Sequence, residues 1–356
     1  MAINSKDLKS IKLLDQKIPL LIKKHEIVGF SISLIRNAKI IWEKGFGYKN
    51  KEEKSPIIPK TVFEVASLTK PVVAYLTLLA REEGLLDLDK PLMEYLSKPY
   101  LENQHLQELI TARHVLTHST GFPNWGEVRG SPKIYFTPGE RFSYSGEGFM
   151  YLQKILEHIY GKSLEILSQE KIFRQLGIKN ASFIWRNDIE QLSALGYFKD
   201  GSFKKWKPLE ATAAGSLHMS PSDYARFIIS LFENKTDKKC LLSQKSINEL
   251  FKPWIPVNDA GLSHKHNVPK SKIIESESVF WGFGWGLEKS GNDFNFWHWG
   301  NNSNFHNLVF ANPIKKSGFV LMSNCERSPL AWKDIINIAF EGNHPGFDWL
   351  MSFYWD

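Results

Sequence analysis

The chain has 356 residues, 42% hydrophobic and 23% charged, an ordinary globular composition with enough length for one large domain or two that share a cleft. The net charge is +7, but the lysines are scattered, so no nucleic-acid surface is predicted and only weak attraction to anions is expected. No apolar run is long enough to span a bilayer and residues 1–7 do not resemble a signal peptide, which predicts a cytoplasmic protein, or a periplasmic one if a leader was removed.

The N-terminal segment predicts a helix followed by a β-hairpin. Apolar residues recur at helical spacing over residues 7–25. Two runs rich in β-branched and aromatic residues follow at 27–35 and 39–48, with a turn at 36–38 between them. A helix before two antiparallel strands favours an α+β domain with helices on the faces of a sheet.

Helices dominate the predicted middle of the chain. One starts at about Ser67 and stops near Gly84, and others are predicted at 92–96, 111–121, 146–161, 163–176 and 220–232. Residues 178–210 are expected to be irregular, and 252–280 to form a long surface loop.

The C-terminal part returns to strands, predicted at 281–288, 294–299, 305–311 and 318–324, before a closing helix at 332–340. These strands are expected to complete the sheet begun by the hairpin. The sequence therefore predicts a single domain over 1–356, with a sheet lobe (1–65 and 281–345), a mainly helical lobe (66–280) and a cleft between them. The aromatic tail, 346–356, docks on its own domain, forms a dimer contact or touches a membrane surface.

Two pairs of residues raise the question of a metal or a disulfide. Cys240 and Cys325 are far apart and match no metal spacing, so both are predicted to be reduced and structural. His114 and His118 are four residues apart on a short helix and could bind a metal, or they could hydrogen-bond to the backbone and fix a loop. No third ligand lies nearby in sequence, and the sequence predicts neither a metal nor an organic cofactor.

Ser67 and Lys70 form an S-x-x-K pair at the start of a predicted helix. Their spacing places both side chains on one helix face. A serine hydroxyl needs a neighbour to take its proton, and a desolvated lysine near a helix N-terminus has the lowered pKa for that task. The alternative is a serine N-cap beside a lysine on a solvated face.

Three short motifs occur in one order: Ser67-Leu68-Thr69-Lys70, Tyr144-Ser145-Gly146 and His298-Trp299-Gly300. This ordered set resembles the serine β-lactamase and penicillin-binding-protein superfamily, in particular its class C-like branch of β-lactamases, D-alanyl-D-alanine carboxypeptidases, D-aminopeptidases and esterases. The resemblance runs from about residue 27 to 325. It implies a β-lactamase/transpeptidase-like fold, an antiparallel sheet flanked by helices with an inserted helical lobe.

The resemblance also implies a role for each matching residue. Ser67 matches the nucleophile and Lys70 the lysine that shares its proton. Tyr144 matches the tyrosine that relays a proton to the leaving group. The remaining matches lie at the substrate and the oxyanion hole, which the backbone N–H groups of residues 67 and 301 would form: Ser145, His298, Gly300 and Asn301.

The sequence departs from the family pattern at two positions. His298 replaces the commoner lysine, so the site is expected to lose a positive charge above about pH 6.5. Gly146 replaces an asparagine whose amide is expected to bind the substrate, and Asn302 or Asn304 could substitute for it. The structural alternatives are a merely packed Tyr144 and a His298 that points away from the cleft.

The predicted function is therefore a serine hydrolase that forms an acyl-enzyme, acting as an esterase or as a D-amino-acid peptidase. The expected substrates are small esters, D-amino-acid amides or β-lactams. A β-lactamase proper is the alternative enzyme. A non-catalytic, ligand-sensing protein with the same fold is the alternative from another class.

Overall fold

The computed structural model describes residues 3–102, 104–125, 132–232, 241–257, 277–352 and 354, and a nine-stranded antiparallel sheet forms its centre. The strands, from one edge to the other, are β3 (Ser55–Pro56), β2 (Lys39–Asn50), β1 (Gly29–Arg36), β14 (Ser317–Ser323), β13 (His306–Asn312), β12 (Asp293–Asn301), β11 (Gly286–Ser290), β10 (Val279–Trp281) and β9 (Ile255–Pro256). Strand β1 pairs with β14, so the C-terminal strands complete the sheet that the N-terminal hairpin begins. The α+β class and the β-lactamase/transpeptidase-like architecture predicted from the sequence are confirmed.

Helices cover both faces of this sheet. They are α1 (Ser5–His25), α2 (Thr69–Glu82), α3 (Ala112–Leu116), α4 (Gly146–Tyr160), α5 (Leu164–Ser168), α6 (Pro221–Ser230), α7 (Gln244–Leu250), α8 (Trp332–Ala339) and α9 (Pro345–Met351). Short strands form two further small sheets, one from β4 (Phe63–Glu64), β8 (His218–Met219) and β5 (Ala181–Ser182), the other from β6 (Gly196–Tyr197) and β7 (Phe203–Lys204).

Side-chain alternation divides the sheet into two faces with different partners. One face is rich in large aromatic residues and packs in a cluster with α1, α8 and α9; its members include Trp297, Trp299, Phe310 and Phe319. The opposite face packs in the cluster that holds α2 and α6; its members include Phe296, Val309, Val320 and Met322. His298 lies between two residues of the first face and therefore points toward α2.

Polar side chains and a glycine fix several helix ends, and those at residues 111, 163, 220 and 161 lie where the sequence predicted helix ends. Asn4, Thr111, Ser145, Ser163, Ser220 and Ser243 each cap a helix N-terminus with their side-chain oxygen. Helix α4 ends at Gly161, which adopts a left-handed conformation at φ +62°.

The prediction of a single strand over 281–288 is wrong, because the structure has two strands there, β10 and β11, with a turn between them. The intervening turn contains Gly284 at φ +74°, and a Cβ there would lie 2.6 Å from the Cβ of Ala74 in α2. The turn thus docks on the helix that follows Ser67, and such close packing requires glycine. Most of the predicted loop at 252–280 lies outside the described residues, and so does Cys240.

The C-terminal tail docks on its own domain. Phe347, Trp349 and Leu350 of α9 are buried in the cluster beneath the aromatic face of the sheet. The predicted dimer or surface contact through this tail stays a prediction. Cys325 is a free, buried thiol. Across the described ranges, no helix has both the length and the apolarity that crossing a membrane requires.

Candidate active site

Ser67 lies in a strained turn at the start of α2. It is the middle residue of a 3₁₀ turn, Ala66–Leu68, and Ala66 adopts φ +52°, a left-handed conformation that costs a non-glycine residue about 1–2 kcal/mol. The carbonyl of Leu68 accepts a hydrogen bond of 2.8 Å from the Tyr224 hydroxyl, which fixes the turn. Strain that the surrounding structure holds in place is characteristic of functional sites.

Lys70 is fully buried and bonds to Ser67. Its Nζ lies 3.1 Å from Ser67 Oγ and 2.7 Å from the carbonyl oxygen of Ala214. Within the described part of the chain, no carboxylate forms an ion pair with this amine. Burial lowers the pKa of Lys70 to about 7. A large fraction of the amine is therefore neutral near pH 7 and able to accept the Ser67 proton.

Tyr144 lies between two rings next to this pair. The His118 ring stacks on it with centroids 4.2 Å apart, and the Trp299 ring lies 4.9 Å away at 35°. Lys70 Nζ is 5.0 Å from the Tyr144 ring centroid. Burial raises the pKa of Tyr144, and the nearby Ser67 hydroxyl lowers it by a smaller amount. Among the described residues Tyr144 Oη makes no hydrogen bond of good geometry, although the Ser67 hydroxyl lies close to it.

His118 lies beside Tyr144, whereas the sequence interpretation considered it only as a metal ligand or as a residue that fixes a loop. Its Nδ1 accepts a hydrogen bond from the Ser145 backbone N–H at 3.0 Å, so the ring hydrogen is on Nε2. That Nε2 is buried and has no partner in the described ranges. Burial, followed by the charge of Lys70, holds the pKa of His118 well below its usual value, so the ring is neutral. The left-handed backbone of His118, φ +53°, could not be anticipated from the sequence pattern.

His298 faces the nucleophile helix as a neutral ring. Its Nδ1 donates to the carbonyl of Trp299 at 2.7 Å, and its Nε2 is buried without a partner among described groups. Burial, with a smaller contribution from the Lys70 charge, lowers the pKa of His298 to about 3. The expectation that His298 titrates near pH 6.5 is therefore corrected, because water cannot solvate its cationic form.

Strand β12 extends beyond the end of its neighbour β11, and this extension lies close to Ser67. Strand β11 pairs with β12 only up to Trp297, so residues 298–301 are paired on one side, with β13. A Cβ at Gly300 would lie 2.1 Å from the carbonyl oxygen of Val65. The glycine therefore lets strand β12 approach the residue just before the turn that contains Ser67. This close approach requires glycine more strictly than the substrate contact that we expected at this position. Asn301, the predicted second oxyanion donor, is exposed at the end of this edge.

Ser145 is occupied by structural contacts. Its Oγ donates to the carbonyl of Pro123 at 2.8 Å and accepts from the backbone N–H of Gly148 at 3.0 Å. These bonds cap α4 and assign Ser145 to the helix end in place of the predicted contact with a substrate.

The asparagines expected to replace the missing side chain at position 146 are also engaged. Asn304 uses its amide nitrogen on the carbonyls of Gly196 and Lys204, and Asn302 donates to Glu64 at 3.1 Å. Neither amide is positioned as a substitute for an asparagine at residue 146.

Histidines 114 and 118 both bond to the backbone. His114 Nδ1 accepts from the Thr111 N–H at 3.3 Å and completes the cap of α3, while His118 supports the residue after Tyr144. Among the described residues, no group of three or more His, Cys, Asp or Glu is arranged to hold a metal ion. The groups that surround Ser67 include a half-neutral amine, Lys70, and a phenol, Tyr144.

Comparison with known proteins gives one family and one fold. A family model described as Beta-lactamase matches residues 14–341. The putative penicillin-binding protein PbpX of Bacillus subtilis is 29% identical over 248 residues, 64% of this chain and 60% of that protein.

Solved structures share the architecture at low identity. An octameric penicillin-binding protein homologue from Pyrococcus abyssi superposes with a TM-score of 0.74 at 24% identity, covering 93% of this chain and 79% of that one. A class C beta-lactamase superposes with a TM-score of 0.77 at 19% identity, covering 96% and 99%. The chain spans about 60% of the length of the curated relatives it matches.

Proposed function

This chain belongs to the beta-lactamase family, and on that premise we propose that it is a serine hydrolase that forms an acyl-enzyme on Ser67. One observation carries the proposal. Lys70 Nζ lies 3.1 Å from Ser67 Oγ, and burial lowers the pKa of this lysine to about 7. A neutral amine at hydrogen-bond distance from a serine hydroxyl is a general base in position.

Acylation begins with transfer of the Ser67 proton to the neutral Lys70. Ser67 Oγ bonds to the carbonyl carbon of an ester, amide or lactam, and the electron pair of the C=O bond moves onto the oxygen. The backbone N–H groups of Ser67 and Asn301 are the proposed donors to that oxyanion.

Tyr144 serves as the proton donor to the leaving group. Because burial raises its pKa, the phenol keeps its proton in the resting site, and the neutral His298 supplies no second positive charge beside it. As the tetrahedral intermediate collapses, Tyr144 Oη protonates the departing oxygen or nitrogen and regains a proton from the Lys70 ammonium.

Deacylation reverses the direction of the proton. A water molecule attacks the acyl-enzyme while its proton passes through Tyr144 Oη to the neutral Lys70. Collapse of the second intermediate breaks the Ser67 ester bond, and Ser67 Oγ recovers its proton from Lys70. One carbonyl substrate and one water give one acid and one alcohol or amine.

The charge of the cleft favours small esters and D-amino-acid amides over β-lactams. Many β-lactams carry a carboxylate, which a cationic third motif would bind, but His298 is neutral. Lys70 lies 5.0 Å from the centre of the Tyr144 ring, and only about half of it is protonated near pH 7.

The test compares a short-chain nitrophenyl ester with a chromogenic cephalosporin, using wild type and Ser67→Ala. We expect ester turnover that falls at least about 10³-fold in the variant, little cephalosporin turnover, and labelling of Ser67 by a fluorophosphonate. Fast cephalosporin turnover would make the protein a β-lactamase. No turnover and no labelling would favour the non-catalytic, ligand-sensing alternative.

A further inference from the structure

Glu64 is a buried carboxylate at the end of β4, close before Ser67 in the chain. Its exposed fraction is only 4%. Its Oε1 accepts a hydrogen bond of 2.9 Å from the backbone N–H of Trp206, and its Oε2 accepts one of 3.1 Å from Asn302 Nδ2. Burial raises the pKa of Glu64, and these two hydrogen bonds oppose that shift by smaller amounts. A buried acid with specific partners beside a proposed active site is a candidate for a role in function.

The side-chain partner of Glu64 lies at the end of β12, where this strand is paired on one side. Strand β11 pairs with β12 only as far as Trp297, so residues 298–301 depend on β13 and on the segment before Ser67 for their position. Asn302 directly follows Asn301, the proposed second donor of the oxyanion hole. The hydrogen bond between Glu64 and Asn302 therefore holds the residue next to that donor in place.

The backbone of Glu64 also contacts this strand pair. Its carbonyl oxygen accepts a hydrogen bond of 2.9 Å from Asn307 Nδ2, and Asn307 of β13 is paired with Gly300 of β12. Glu64 is thus tied to the strand pair just before Asn301 through its carbonyl, and just after Asn301 through its carboxylate. The backbone N–H of Ser67, the other proposed donor, belongs to the turn that begins two residues after Glu64.

We propose that Glu64 is a positioning residue that sets the separation of the two oxyanion donors, the backbone N–H groups of Ser67 and Asn301. The segment that carries the first donor also carries this carboxylate, and the carboxylate holds the residue after the second donor. The inference rests on the proposed function, since it requires an oxyanion to form when Ser67 attacks a carbonyl. Donors that are in place before the reaction need no reorganisation as the negative charge develops.

The test compares nitrophenyl acetate with its thiono analogue, in which sulfur replaces the carbonyl oxygen. Sulfur accepts hydrogen bonds more weakly and lies farther from carbon, so two donors placed for an oxyanion favour the ester. A misplacement of about 1 Å can cost about 10²-fold in rate, and for a smaller shift we expect Glu64→Ala to lower the ester kcat/KM by about 10-fold. The thiono substrate should lose less than about threefold, so the ratio of ester to thiono kcat/KM falls.

Two further variants examine the contact itself. Asn302→Ala should lower the same ratio, and the double variant with Glu64→Ala should lower it no further, because both changes break one hydrogen bond. Asn302 is only half-buried, so this variant keeps the test available if Glu64→Ala does not fold. Glu64→Gln should retain a ratio within about threefold of wild type, because the Asn302 amide can turn its oxygen toward the new N–H₂ group.

Glu165 of α5 provides a matched control. It is also a buried carboxylate, and it accepts hydrogen bonds from a backbone N–H, that of Phe183 at 2.7 Å, and from a side-chain amide, that of Gln169 at 3.0 Å. Glu165→Ala should lower the thermal midpoint, because it leaves these donors unpaired, but it should leave the ratio of ester to thiono kcat/KM unchanged.

Equal losses on the two substrates in Glu64→Ala and Asn302→Ala, or no loss on either, would overturn the inference while leaving the proposed function intact. Ester turnover that survives in Ser67→Ala would instead overturn the proposed function, and the inference with it.

Discussion

Two clusters of polar side chains are buried to a similar extent in this protein, but they differ in whether their polar atoms have hydrogen-bond partners. The cleft cluster lies beside Ser67, the proposed nucleophile, and consists of Lys70, His118, Tyr144 and His298. The tail cluster lies where α9 meets the aromatic end of the sheet and consists of Glu288, Asn295, Asn312 and His344. All eight side chains are less than one-tenth exposed.

The polar groups of the tail cluster form hydrogen bonds with one another or with the backbone. Glu288 Oε1 accepts from Asn295 Nδ2 at 2.9 Å and bonds to His344 Nδ1 at 2.8 Å, while Oε2 accepts from Gly346 N at 3.0 Å. The second ring nitrogen of His344 bonds to the carbonyl of Phe340 at 2.6 Å. These hydrogen bonds hold the C-terminal tail against the sheet.

In the cleft cluster, by contrast, several polar atoms have no hydrogen-bond partner among the described residues. Tyr144 Oη, His118 Nε2 and His298 Nε2 have no partner in the described part of the chain, although each is buried. An unpaired buried polar atom typically costs about 1–3 kcal/mol, so three together lower the stability of the resting fold. Polar groups with partners stabilise the fold, whereas those without partners beside the proposed nucleophile are available to a substrate, and this difference distinguishes the proposed active site.

The largest expected effect is on the tail cluster. Glu288→Ala removes one partner of a buried pair and should lower the free energy of unfolding by about 3–5 kcal/mol, because His344 and Gly346 N lose their acceptor. Urea unfolding measures the loss, and ester turnover per folded molecule should be unchanged.

Glu288→Gln is the milder control for this substitution, since it keeps an oxygen acceptor, and it should lose less stability than the alanine variant. A loss below about 1 kcal/mol in Glu288→Ala would contradict the structural role of the cluster. A fall in activity that exceeds the unfolded fraction would contradict the separation of the two clusters.

The second effect concerns pH and Lys70. Only the neutral amine accepts the Ser67 proton, so kcat/KM should rise with pH and reach half of its plateau near pH 7. No separate histidine step is expected near pH 6.5, because burial lowers the pKa of His298 to about 3.

Stability should follow the same ionisation. The pKa of Lys70 is about 7 in the folded protein and near 10.4 in the unfolded chain, so between these values the unfolded state binds more protons. The free energy of unfolding should therefore rise by up to about 1.4 kcal/mol per pH unit from pH 7 to pH 10. Lys70→Met lacks this slope, and an equal slope in wild type and variant would contradict the low pKa.

The sequence predicted those parts of the fold that local signals control. The S-x-x-K spacing, the hairpin, the serine caps and Gly161 depend on neighbouring residues, and the ordered motifs predicted the family that the match over 14–341 shows. The pairing of Ser67 with Lys70 could be predicted for the same reason, since the two residues are only three positions apart in the sequence.

The missed features depend on contacts between distant segments. Gly284 breaks a predicted strand because α2 lies against it, and Asn124 fills the space beside Gly146 from a position 22 residues away. The neutral state of His298 follows from burial by several elements, which periodicity does not reveal. Contacts of this kind determine the chemistry of the cleft, but no motif in the sequence indicates them.

The smallest effect separates the two kinds of buried hydroxyl. Tyr144→Phe removes an unpaired phenol from the cleft, so it should raise the free energy of unfolding by about 1 kcal/mol. Ester kcat should fall by about 10²-fold, since the leaving group loses its proton donor.

The chain offers a matched control outside the cleft. Tyr151 is a second buried tyrosine whose hydroxyl has no described partner, and it stacks on Tyr100 at 4.2 Å. Tyr151→Phe should give the same stability gain with unchanged turnover. If Tyr144→Phe instead destabilises the fold, its hydroxyl is bonded in the resting protein, and the contrast between open and closed clusters fails. If both variants gain stability but only Tyr144→Phe loses activity, the open hydroxyl at Ser67 is a catalytic feature and the one at Tyr151 is a packing defect.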